Sequence, residues 1–127
     1  MTSSIYNTSV DCADPYSLAE FWSQVLGLPI NEGSPGDEEV AITLDSDRDH
    51  DLLFIRVPEP KTVKNRLHLC LQPDGPRDEE VDRLLSAGAS FVADQRNPNG
   101  TGWAVLADPE GNEFCVLRSA AERSATS

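Results

Sequence analysis

The chain runs twice through the same order of hydrophobic patterns. Residues 5–12 alternate loosely and are rich in Thr, Ser and Val, which predicts a strand. Asp14-Pro15 follows, an N-cap acid with proline at the first helical position. Leu18, Trp22, Val25 and Leu26 then recur at helical spacing, Phe21 widens the stripe, and Gly27 stands where a helix-ending glycine belongs. A short strand is predicted over 28–32, closed by Gly33-Ser34-Pro35-Gly36. Two longer ones, 40–44 and 52–57, are joined by an acidic loop at 45–51 that holds His50.

Residues 58–64 (Pro-Glu-Pro-Lys-Thr-Val-Lys) break the pattern and read as a linker, after which the order repeats. Over 66–72 alternation predicts a strand with Leu67, Leu69 and Leu71 on one face and His68, Cys70 and Gln72 on the other. Asp74-Gly75-Pro76 opens a second helix, with Asp78, Glu79 and Glu80 at the positive end of its dipole, Val81, Leu84 and Leu85 as its stripe, and Gly88 at its end. A strand at 91–93 and a loop at 97–100 lead into a hairpin. Its arms are 103–107 and 114–117, and Asp108-Pro109-Glu110-Gly111-Asn112 is its turn.

Each half thus reads strand, helix, strand, strand, strand: module one over 4–57, module two over 65–118, and a polar, frayed tail over 119–127. A repeated unit that cannot bury its own sheet pairs with its copy. The expected fold is α+β: two tandem βαβββ modules forming one domain over 1–118, a cup of mostly antiparallel sheet with helices outside and a ligand-sized hollow within.

Composition narrows the function. A net charge of −12 excludes nucleic acid and an anionic membrane surface as partners, since both need clustered cations. Solubility is its ordinary explanation, attraction of a cationic small molecule its sharper one. Cys12, Cys70 and Cys115 make an odd set without a C-x-x-C pair, which argues against a disulfide framework or a zinc finger and for free thiols in the cytoplasm. The opening residues 1–7 lack the basic and apolar regions of a secretory signal, and no apolar run approaches a membrane span.

The duplication, with Asp11-Cys12-Ala13-Asp14-Pro15 ahead of a helix carrying Phe21-Trp22 and ending Leu26-Gly27, resembles the vicinal oxygen chelate superfamily of glyoxalase I, bleomycin-resistance proteins and extradiol dioxygenases. Within it the chain most resembles the glyoxalase-like domain proteins, on residues 56–61, 64–69 and 107–114. That resemblance implies a homodimer. In metal-using members it implies ligands from the first and last strands of each module, which fall here on Asn7, roughly Ile55, His68 and Cys115. Only His68 is a ligand of the glyoxalase I kind; Asn7 is a weak donor, Ile55 cannot ligate, and Cys115 replaces a carboxylate.

Each candidate also has an ordinary reading. His68 is a binding group, a general base, a metal ligand, or a hydrogen-bonded wall residue among leucines. Cys70 and Cys115 share its direction and are inert packing or, with His68, a soft-metal or nucleophilic pair. Asp45 to Asp51 imitates a calcium loop but lacks glycine at the sixth position and glutamate at the twelfth, and reads as a solvated loop. Lys61, Lys64 and Arg66 are a linker kept soluble, part of a subunit contact, or a rim that holds a carboxylate or phosphate. The leading expectation is a protein that binds a small organic molecule with Asn7, Ser9, Asp11, His68, Cys70, Trp103 and Cys115, without a tightly held metal, as bleomycin-resistance proteins sequester a cationic drug. Two alternatives stand beside it. One is a divalent-metal lyase, isomerase or oxygenase using His68, Cys115 and Asp11 or Glu113; the other is metal-free acid–base catalysis by His68.

Overall fold

Strand β1 (Asn7–Cys12) leads through the Asp14 cap into helix α1 (Pro15–Leu26). The Asp14 carboxylate accepts from the Ser17 amide at 3.3 Å, and Gly27 ends the helix at φ 68°, as the sequence predicts. Strands β2 (Glu39–Asp45) and β3 (His50–Arg56) complete a three-stranded sheet in the order β1-β3-β2, with β1 parallel and β2 antiparallel to β3. The computed structural model describes residues 1–47 and 50–126, so the middle of the acidic 45–51 loop, and with it the calcium-loop reading, lies outside the described residues. His50 opens β3 instead of sitting in that loop.

The predicted strand at 28–32 is reduced to one bridge, Glu32 to Ala41. Pro29 has no amide hydrogen to give, the Ser23 hydroxyl donates to the Leu28 carbonyl, and the Asn31 side chain accepts the Thr43 amide, so backbone pairing is confined to Asn31 and Glu32 with Ala41. Leu18, Phe21, Trp22 and Val25 of α1 are buried, as are Val40, Ile42, Leu52 and Phe54 on the facing side of the sheet. Phe21 and Trp22 meet edge to face with centroids 5.5 Å apart.

The chain divides into two compact units between Lys61 and Thr62. In the second unit, β4 (Cys70–Leu71) precedes α2 (Arg77–Ala87), β5 (Ser90–Arg96), β6 (Gly102–Ala107) and β7 (Glu113–Val116), in the sheet order β4-β7-β6-β5. The β4/β7 pair is parallel and the others antiparallel, so in both units the first strand lies parallel to the last. The hairpin stands as predicted, its turn closed by Asp108. That buried carboxylate accepts from the amides of Glu110 and Asn112 at 2.9 and 3.0 Å.

Two further elements depart from expectation. The strand predicted over 66–72 shrinks to two residues, because Asn65 is tied to the hairpin turn by the side chains of Glu113 and Asn112 and the chain bends after it, leaving Leu67 91% exposed. Where a frayed tail is expected, helix α3 (Ala120–Thr126) forms, starting at a capping box. The Ser119 hydroxyl accepts the Glu122 amide, and the Glu122 carboxylate accepts from the Ser119 and Arg77 amides at 2.9 and 2.8 Å.

The backbone donation from Ser119 is the largest influence holding the Glu122 carboxyl below its ordinary value of 4.5. A depressed carboxyl stabilises the fold fully above that ordinary value and loses its contribution as pH falls through the lower folded one. The Ser119 and Arg77 amide resonances are therefore expected to shift together on acidification, with a midpoint below 4.5. A midpoint at or above that value contradicts the capping role.

Candidate functional site

Parallel pairing of β4 with β7 sets Cys70 directly opposite Cys115. Alternation brings His68, two residues before Cys70, to the same side. The ladder extends this far although β4 is short, since the Cys115 amide donates to the Leu69 carbonyl at 2.9 Å. The imidazole and the two thiols converge, each offering a ligand atom within 4.8 Å of the others. His68 and Cys70 are exposed and Cys115 is 8% exposed. The other side of the sheet is packed with Ala104, Leu106, Phe114 and Val116, all fully buried, toward Val81 and Leu84 of α2.

Burial is the main influence pushing the Cys115 thiol up; charge and hydrogen bonding at Cys70 add to it, and the nearby Lys64 ammonium offsets a little. The Cys115 thiol thus rests in its protonated form around neutral pH, which removes the simplest route to a spontaneous nucleophile at that position. Lys64, read from sequence as linker or rim, stands close enough to this thiol to be felt.

Trp103 follows by register: Val105 pairs with Cys115, and Trp103 is the next residue of β6 on that face, 43% exposed. In the first unit Asn7, Ser9 and Asp11 lie on the face of the sheet away from α1, opposite Asp51, Leu53 and Ile55 of β3. Register there sets Asp11 and Glu39 on either side of Ile55, and Asn7 and Thr43 on either side of Asp51. Gln72 is held by the Arg123 guanidinium.

The ligand positions carried over from metal-using relatives differ in what they offer. Ile55 offers hydrocarbon, Asn7 an amide, and neither Asp11 nor Glu113 joins the donors that converge among the described residues. Glu113 instead accepts the Asn65 amide at 3.1 Å. Sequence reasoning missed Arg77, 5% exposed, whose guanidinium donates to the carbonyls of Gly100, Thr101 and Gly102 and so positions the start of β6 and Trp103. Its signal was faint: an arginine in a helical first turn, where acids are favoured.

A family model described as a glyoxalase-like domain matches residues 7–117. No curated protein matches the chain. Among solved structures it is similar to a glyoxalase-related enzyme from Fulvimarina pelagi, with 17% identity, TM-score 0.67, and 91% of this chain and 88% of that one covered. It is similar also to a glyoxalase/bleomycin resistance protein/dioxygenase family enzyme from Burkholderia phytofirmans (20%, 0.64, 87% and 94%). A lactoylglutathione lyase from Agrobacterium tumefaciens gives 22%, 0.61, 91% and 93%. At these identities the likeness is one of fold.

Proposed function

The chain belongs to the glyoxalase-like domain family of the vicinal oxygen chelate superfamily, and on that premise we propose that it binds a small organic cation on the sheet faces turned away from its helices, without a metal of the type used by metal-dependent relatives. The observation that carries this reading is Trp103, a large aromatic left 43% exposed on the face that also bears His68, Cys70 and Cys115. An aromatic wall with a few placed polar groups suits a planar ligand. A chain of net charge −12 draws cations, and Asp11, Glu39 and Asp51 line the corresponding face of the first sheet, beside Asn7 and Ser9. The finer reading is sequestration by an acidic homodimer, in the manner of drug-binding relatives, in a reducing compartment that suits three free cysteines.

Cationic aromatic compounds are expected to bind with a calorimetric signal and to quench Trp103 fluorescence; the chain's other tryptophan, Trp22, is buried in the core of the first unit. Trp103→Ala should weaken binding about tenfold, the size of one stacked or cation–π contact. A panel of such compounds that gives neither heat nor thermal shift removes the sequestration reading.

A further inference from the structure

We propose that His68, Cys70 and Cys115 hold a thiophilic divalent cation of the Zn²⁺ class, in a site built wholly within the second unit. The donors themselves select the ion. Two thiols and an imidazole suit zinc, whereas Mg²⁺ and Ca²⁺ want oxygen cages that these residues cannot supply. Three protein donors with a fourth position left to water or a ligand make a recurrent zinc arrangement.

The geometry is close to closed. The three ligand atoms already lie within 4.8 Å of one another. Zinc–sulfur bonds of about 2.3 Å and zinc–nitrogen bonds of about 2.0 Å bring tetrahedral donors to roughly 3.5–3.8 Å apart. The contraction of about 1 Å that these bond lengths ask for falls to the side chains of His68 and Cys70, which are exposed and have room to turn, while strand pairing holds the Cys115 and Cys70 backbones in register. On binding, each thiol gives its proton to solvent and its electron pair to the ion. The two thiolates then balance the 2+ charge, and no redox partner is required. The site shares His68 and Cys115 with the ligand positions implied by the superfamily and departs from them in its third donor, Cys70 of the same unit, where the superfamily pattern would call on Asn7 and Ile55 of the first module. It shares a sheet face with the proposed cation-binding surface but does not rest on that reading.

The test uses the full chain, kept reduced, titrated with Zn²⁺ against a chromophoric chelator. One equivalent is expected to bind with a Kd of about 1 μM or tighter. Cys70→Ser and His68→Ala should each weaken it at least tenfold, and Cys12→Ala, in the first unit, should leave it unchanged. Co²⁺ should give thiolate-to-metal charge-transfer absorption that Cys70→Ser diminishes. Because Cys115 is buried and its replacement risks the fold, the exposed Cys70 carries the decision. Absence of Zn²⁺ binding in the micromolar range, or binding that Cys70→Ser leaves intact, overturns the site. The organic-cation titration with Trp103→Ala reads separately, so either proposal can fail while the other stands.

Discussion

Gly102→Ala is expected to cost the protein about 2–5 kcal/mol and to lower its melting temperature by roughly 7–19 °C. Gly102 opens β6 at φ 90°, where an L side chain crowds its own backbone by about 1–2 kcal/mol. A Cβ at this position would also stand 2.0 Å from the carbonyl oxygen of Gln95, on the neighbouring strand whose Arg96 pairs with Gly102. That atom is backbone, so no rotamer change relieves the contact. Either β5 and β6 separate at this end or Gly102 leaves its conformation, and overpacking of this kind costs about 1–3 kcal/mol more. Thermal or urea unfolding measures it; a change under about 0.5 kcal/mol would show that the start of β6 is looser than the close approach to Gln95 implies. Because Trp103 is the next residue, a folded variant should also lose part of its affinity for a stacking ligand.

Arg77→Ala comes second, at about 3 kcal/mol. The guanidinium is nearly sealed from solvent and spends one nitrogen on three successive carbonyls, Gly100 at 3.2 Å, Thr101 at 3.4 Å and Gly102 at 3.1 Å. Shared donation of this kind is worth less than three separate bonds, but its loss leaves the loop carbonyls without their charged partner and removes the packing of the aliphatic stem. The ion pair to Asp78 adds little, because that side chain is 69% exposed and solvent screens it. Arg77→Ala should therefore be far more damaging than Asp78→Ala in denaturant unfolding. Arg77→Lys should recover only part of the loss, since a single ammonium cannot reproduce the planar fork. Equal effects of Arg77→Ala and Asp78→Ala would place the energy in the ion pair and not in the carbonyl contacts.

Both residues act at the entry to the strand that carries Trp103, so the aromatic of the proposed binding face depends on a buried cation and a glycine that touch no ligand. Their cost to stability is the reason to measure fold and binding in the same variants.

Local signals in the sequence were enough for much of the architecture. Asp14-Pro15 and Gly27 bound α1, and Asp108 through Asn112 made the hairpin turn, because a cap or a turn is decided by groups within four or five residues of one another. The doubled order of elements and the shared face of His68 and Cys70 were likewise legible from alternation. The same local logic misread the strand at 66–72, where a side-chain tie from Asn65 to Glu113 and Asn112 bends the chain. It also missed α3, although Ser119 and Glu122 carry the capping-box spacing.

By itself, then, the sequence determined α1, α2, the closing hairpin and the longer strands, and which residue types each of their faces bears, since those follow from spacing along one element. Only the tertiary structure decided that Cys70 lies opposite Cys115, that His68 closes the group with them, and that Arg77 fastens Gly100 to Gly102. These are choices of partner between segments far apart in the chain. Strand register and the search for buried hydrogen-bond partners settle them, and neither has a local signature.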